Sequence, residues 1–262
     1  MTKNNFDRII KHVFDSEGGF VNHPKDPGAA TNMGITHATL AEERGHQVSV
    51  QDVKELTQEE ALNIYRKRYW DKVKGNFLAD GFDMLAMDGA VNSGIGRGVK
   101  WLQKGLGVTA DGIVGTVTIS TTKVAGLAAI EKTAEARLSF LQGLRNWQVF
   151  GKGWGRRVAR VEAEATLMWH EANSSFKKEE VINIALAKTE SRKIINKKKG
   201  VNQTAGTGAV TAGGSLTDMP PTFLTAFLFI MFVILVLVFL QVRGKANYLH
   251  ELKRAYDSLK GA

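Results

Sequence analysis

The 262-residue chain contains no cysteine, so disulfides, thiol nucleophiles and cysteine-based metal sites are all excluded. That absence leaves the compartment open, because a protein of an oxidising space can simply do without the residue. Histidine gives no metal motif either: His12, His23, His37 and His46 are scattered without zinc spacing, and no cofactor is expected. Alternating apolar and polar residues are scarce and no internal repeat is visible, which points away from β architectures and solenoids. The N-terminus, Met1-Thr-Lys-Asn-Asn-Phe-Asp7, lacks the apolar core of a signal peptide. A basic surface is missing from the first two-thirds, where residues 1–176 hold 22 Lys/Arg against 20 Asp/Glu. With no nucleic-acid fold signature beside that balance, nucleic acid is not an expected partner.

What is present is concentrated at the two ends. Residues 177–262 hold 13 Lys/Arg and 6 Asp/Glu, so most of the net charge of +9 belongs to the tail, which suits an anionic lipid or an acidic cell-wall polymer. Within it, residues 222–242 run from Thr222 to Val242 without a charge. A helix of that length spans roughly 31 Å, close to the hydrocarbon thickness of a bilayer. It is expected to be a single transmembrane helix. Arg243, Lys245, Lys253, Arg254 and Lys260 follow it, whereas residues 201–221 carry no Lys or Arg. The positive-inside rule then places the C-terminus in the cytoplasm and the large N-terminal part outside.

At the other end, Phe6, Ile9, Ile10, Val13 and Phe14 recur on one face and predict a helix over residues 4–17, stopped by Gly18-Gly19. Glu17 is its last residue. A carboxyl at a helix C-terminus meets the negative end of the dipole, which favours the protonated form that a general acid requires. Nine positions on lies Asp26, in Asp26-Pro27-Gly28, and five further lies Thr31. Asp-Pro-Gly is also a common turn, so a catalytic and a turn role for Asp26 both stay open.

The stretch Glu17-Gly-Gly-Phe20, followed by Asp26-Pro-Gly-Ala-Ala-Thr-Asn-Met-Gly-Ile-Thr36, resembles glycoside hydrolase family 108. Phe20 and Ala29 depart from the family's usual tyrosine and glycine. The resemblance implies a lysozyme-like muramidase, with Glu17 as the catalytic acid. The similar Glu, Asp, Thr order of phage-type lysozymes adds Asp26 and Thr31 to the catalytic set. It covers about residues 5–172, including Met87-Asp88-Gly89-Ala90-Val91-Asn92-Ser93-Gly94 and Gly153-Trp-Gly-Arg-Arg-Val158. Trp101-Leu-Gln103, Leu106-Gly-Val108 and Asp111-Gly-Ile-Val-Gly115 are similar to a peptidoglycan-binding motif, although Asp111-Gly112 is also a ready tight turn.

Further helices are expected from Thr57-Gln-Glu-Glu60 (a capping box) through Trp70, over 82–93, over Arg97–Leu106, near 118–147 and near 154–175. Asn92 and Ser93 can bond the amides of an amino sugar or simply end a helix. Tyr69 and Trp70, with Trp147 and Trp154, can stack on sugar rings or fill a core. Residues 177–199 read as a short polar helix with a basic end, and 200–221 as a Gly/Thr-rich flexible linker.

The expected architecture is therefore mainly α. A lysozyme-like catalytic region (1–95) carries a helical peptidoglycan-binding-like region (96–176) packed on it. A basic helix and linker (177–221), the transmembrane helix (222–242) and a basic cytoplasmic tail (243–262) follow. The expected function is hydrolysis of the β-1,4 bond between N-acetylmuramic acid and N-acetylglucosamine by a phage or prophage endolysin. It would sit in the bacterial inner membrane, facing periplasmic peptidoglycan, with a holin as candidate partner for release. Two rivals stay open: a lytic transglycosylase, and a non-catalytic wall-binding tether or secretion accessory.

Overall fold

The computed structural model describes residues 5–22, 30–190, 244 and 246–260. The chain divides into two compact units, Met1–Ser175 and Phe176–Ala262. The first is almost wholly helical.

Helix α1 (Phe6–Glu17) buries Phe6, Ile9, Ile10 and Val13, the face foreseen from their spacing. A minimal hairpin follows, β1 (Thr31–Asn32) paired antiparallel with β2 (Ile35–Thr36). Its two turn residues, Met33 and Gly34, both have positive φ, at 48° and 75°, as a tight two-residue hairpin turn demands. Thr36 then caps α2 (His37–Arg44), and Ser49 with Asp52 forms a full capping box on α3 (Val50–Lys54). At α4 (Gln58–Tyr65) the expected box is only half made. The Thr57 hydroxyl accepts from the Glu60 amide, but the Glu60 carboxylate is drawn away to Arg44 at 2.8 Å. The helix continues through a π-helical turn, Arg66–Trp70.

Helix α5 (Phe82–Ser93) has the bounds the sequence predicts, and it is buried on every face from Phe82 to Ala90. Helices α1, α6 (Ile95–Leu106), α8 (Leu127–Gln142) and α9 (Trp147–Asn173) all pack against it, while α7 (Thr116–Val124) lies on α6. The crossing of α5 and α6 is close. A Cβ on Gly98 would lie 2.5 Å from the Ala90 nitrogen, so glycine is required for the helices to touch there. One apolar core, from Phe6 to Met168, draws on both halves of this unit.

Helix α6 starts two residues before the expected Arg97, and two later helices depart further from expectation. The helix expected near 118–147 is broken at Ala125-Gly126 into α7 and α8. Helix α9 starts at Trp147, seven residues before the expected 154, despite Gly151, Gly153 and Gly155 in its first turns. The Trp147 ring lies over Gly151, where a Cβ would come within 2.6 Å of it, so the glycine makes room for a self-covering aromatic.

In the second unit, residues 178–190 and 246–260 are helical. Val181, Ile182 and Ala185 on the first, and Leu249, Leu252 and Tyr256 on the second, are buried. A Glu190–Lys253 ion pair of 3.2 Å links the two. The expected linker and the apolar segment 222–242 lie outside the described residues. Among the described residues, no helix is long and apolar enough to cross a membrane.

Candidate functional site

Helix α1 delivers Glu17 to the junction of three other elements. The backbone turns at once, with Gly18 at φ 78° and its amide bonded to the Phe14 carbonyl. Against the Glu17 side chain stands the tip of the β-hairpin. A Cβ on Gly34 would fall 2.9 Å from the Glu17 Cγ and would strike the Tyr65 hydroxyl. Gly34 is thus fixed twice, by its left-handed backbone and by the two side chains that crowd it.

Tyr65, from α4, donates its hydroxyl proton to the Met33 carbonyl at 3.0 Å. Its ring meets Phe14 edge-on at 5.6 Å and lies 5.6 Å from that of Tyr69. Burial first, and the Glu17 charge second, push the Tyr65 phenol above its ordinary range, so it stays a neutral donor.

The fourth element is α9. Arg157 donates from Nη1 to Glu17 Oε1 at 2.9 Å. The same guanidinium donates from Nε to Asp88 Oδ1 at 3.0 Å, and its Nη2 lies 2.9 Å from that oxygen without hydrogen-bond alignment. Asp88, on α5, is 1% exposed and also accepts from Arg137 Nη1 on α8 at 2.5 Å. Burial alone would raise the Asp88 carboxyl, but the Arg137 and Arg157 charges outweigh it and hold the group down at about 2. Arg157 is raised by the two carboxylates despite its burial. Arg137 closes the chain by donating from Nη2 to Asn92 Oδ1 at 3.1 Å, and Ser93 Oγ donates to the same oxygen.

The sequence-predicted residues are distributed unevenly over this geometry. Glu17 and Tyr69 are brought together around Tyr65. Asn92 and Ser93 join the far end of the polar chain, where Asn92 Oδ1 is engaged by Arg137 and Ser93. Thr31 exchanges two backbone hydrogen bonds of 2.8 Å with Val21, which fixes the residues on either side of the segment that contains Asp26. Asp26 itself lies outside the described residues. Trp70 is a correction. It is 1% exposed, packs edge-on to Phe6, faces Gly75 and donates its indole N–H to Asn76, so it is a core residue and cannot stack on a sugar. Asp111 and Gln103 tie the Gly112 turn together, with Asp111 accepting from Gln103 Nε2 at 2.7 Å and from the Ile113 amide at 2.8 Å. That is the structural role expected of an Asp-Gly turn.

Sequence reading missed Gly34, Tyr65, Asp88, Arg137 and Arg157. Asp88 and Arg157 sit inside the two later segments that carry the family resemblance, which is the signal that marks them. Among the described residues no His/Cys/Asp/Glu group could hold a metal ion.

The glycosyl hydrolase 108 family profile matches residues 10–94, which contain Glu17, the hairpin, Tyr65 and Asp88. No curated protein matches the chain. Among solved structures, SagA from Brucella abortus is 46% identical, covers 64% of this chain and 97% of its own, and superposes with a TM-score of 0.57. A relative so similar over nearly its full length, with the profile match across the segment that holds Glu17, shows that the chain belongs to glycosyl hydrolase family 108 and is a glycoside hydrolase of peptidoglycan.

Proposed function

We propose that the enzyme is an N-acetylmuramidase that cleaves the β-1,4 bond between N-acetylmuramic acid and N-acetylglucosamine, with Glu17 as the general acid. The carrying observation is the setting of Glu17, half-buried at a helix end, with Oε1 held by Arg157 and no described residue on Oε2. The bonded oxygen fixes the carboxyl plane, and the second is left to protonate the leaving glycosidic oxygen. Arg157 is itself clamped by Asp88, so the acid is held by a buried frame and not by a mobile surface cation. Asp26, with Thr31, orients the attacking water or stabilises the oxocarbenium-like transition state, and we favour inversion. Residues 96–176 serve peptidoglycan binding beside the acid.

The test is product analysis on sacculi by mass spectrometry, with the full chain beside Glu17→Gln. Reducing muropeptides from the wild type, reduced by about 10²–10⁴-fold in the variant, are expected. Anhydro ends would transfer the enzyme to the lytic transglycosylases, and full activity in Glu17→Gln would remove the acid assignment.

We also propose that residues 222–242 anchor the enzyme in the bacterial inner membrane with the first unit facing the periplasm and the tail in the cytoplasm. In this setting it acts in lysis as a phage or prophage endolysin, with a holin supplying passage. One observation favours a second reading of the topology. The Glu190–Lys253 pair supports it, because a single crossing between the two helices would leave them on opposite sides of a bilayer. Under that reading positions 188 and 253 lie on the same side of the membrane. Cysteine labelling at positions 188 and 253 in spheroplasts separates the two: opposite accessibility supports the single crossing, and equal accessibility supports the second reading.

A further inference from the structure

Upstream of Arg157, the first turns of α9 carry an aromatic cluster that the core does not absorb. Trp147 and Trp154 lie with ring centroids 6.2 Å apart, and Phe150 and Trp154 5.6 Å apart. Phe150 is 52% exposed, its neighbour Val149 is 74% exposed, and both tryptophans are partly open. An apolar cluster held at the surface in this way marks a contact site. At 100° per residue, positions 147, 150, 154 and 157 fall on one face, so the cluster and Arg157 share a stripe about 15 Å long.

We infer that Trp147, Phe150 and Trp154 form a ledge that holds the glycan strand of peptidoglycan on one side of the bond presented to Glu17. This inference rests on the muramidase reading. Three features select a glycan strand as the occupant. The ledge is continuous with the proposed reaction centre, because Arg157, one turn beyond Trp154, donates to Glu17. Aromatic rings present a flat apolar face with a polar edge, the chemistry that complements a pyranose ring with its C–H face and hydroxyl rim. Arg145, two residues before Trp147, is an exposed cation, and a cation there complements the carboxylates of muramyl residues and their peptides. The ledge also lies beyond residues 10–94, the part of the chain that the family profile matches.

The test uses the full chain carrying Glu17→Gln, so that binding to sacculi is read without cleavage. Phe150→Ala with Trp154→Ala is the ledge variant, Trp154→Phe the conservative one, and Val124→Ser, at an 84% exposed apolar position on α7, the control for general stickiness. The ledge variant is expected to co-sediment with sacculi about tenfold more weakly, with Trp154→Phe restoring most of the retention and Val124→Ser changing nothing. In enzyme with Glu17 intact, the same ledge variant should raise KM on sacculi by more than it lowers kcat. Thermal unfolding of each variant excludes misfolding as the cause. Unchanged retention overturns the ledge, as does a Glu17→Gln parent that does not bind sacculi at all. Loss of liposome binding alone would reassign the patch to membrane, and loss of a dimer in sedimentation would reassign it to a second copy. Product formation by wild type but not Glu17→Gln judges the acid independently of these outcomes.

Discussion

Two ion-pair networks in the first unit use the same side-chain chemistry and differ in burial. The first runs from Glu17 through Arg157, Asp88 and Arg137 to Asn92, joining α1, α9, α5 and α8. Its central Asp88 is 1% exposed, and Arg137 and Arg157 are 5% and 14% exposed at their side chains. The second links α2 to α3, α4 and the π-helical turn after it. Arg44 meets Glu60 and Asp52, while Glu43 and Glu42 meet Lys67 and Arg68. Here Glu42, Lys67 and Asp52 are 69%, 73% and 40% exposed, and Glu43, the most enclosed member at 14%, pairs with that open Lys67. A buried ion pair gains little net stability over apolar packing, whereas removing one member strands a charge without water. A solvated pair loses little either way. The difference teaches that the first network fixes geometry. It locks one rotamer of Arg157, and through it one oxygen of Glu17.

The sharpest way to break the comparison is Asp88→Ala. Two guanidiniums would then be left in the interior with one carboxylate between them, at the edge of the site. Unfolding in denaturant should show a loss of about 3–5 kcal/mol, and lytic activity on sacculi should fall with it. A change under 1 kcal/mol would mean that the network is solvated and the contrast with the surface pairs is false. Gly34→Ala attacks the same site from the hairpin. The residue would be forced into a left-handed backbone, with its Cβ against Glu17 and Tyr65, so we expect a loss of about 1–3 kcal/mol and a fall in kcat larger than any rise in KM. Equal kcat at full folding would show that the hairpin does not position the acid.

These partners explain what was legible in the sequence. Helix α5 was read to the residue because its apolar run ends in a glycine, and both signals are local. The hairpin was not, because strands of two residues are too short for alternation to register. Glu17 was visible through its own segment, but Arg157 is 140 residues away, and no spacing rule links them. Arg157 had been seen only as part of a motif. Trp70 was misread because an aromatic at a helix end carries the same spacing whether it faces a groove or the core. Only the Gly75 contact and the Asn76 bond decide that it faces inward.

A third buried acid offers a pH test of intermediate size. Asp83 is 2% exposed, bonded to the amides of Gly81 and Met84 and to Asn5, with no cation among these partners. Burial pushes its carboxyl up to about 7, whereas Asp88 is held at about 2. The unfolded value for either is about 3.9. For Asp83, whose folded value is the higher, the stability contribution is complete below about 3.9 and is lost as pH rises through 7. For Asp88 it is present above about 3.9 and lost as pH falls through 2. Urea unfolding between pH 4 and 7 should therefore show a loss with rising pH that Asp83→Asn flattens, by about 1–3 kcal/mol across the range. Asparagine keeps the oxygen that receives both amides. An unaltered slope in Asp83→Asn would place the titration elsewhere.

The smallest effect belongs to the surface network, and its smallness is what completes the comparison. Glu43 receives both Lys67 and Arg68, at 2.8 and 3.0 Å, and the Lys67 hydrogen bond is the main cause that lowers its carboxyl below the ordinary value. Its two partners reach bulk water, so their charges remain solvated when the carboxylate is removed. Glu43→Gln should cost about 1 kcal/mol or less. The loss should shrink further in about 1 M salt, where the Debye length falls to about 3 Å. Activity on sacculi at fixed salt should be unchanged, since nothing in this network reaches Glu17. A loss rivalling that of Asp88→Ala would show that burial is not what separates the two networks, and that the π-helical turn depends on its charges to keep Tyr65 and Tyr69 in place.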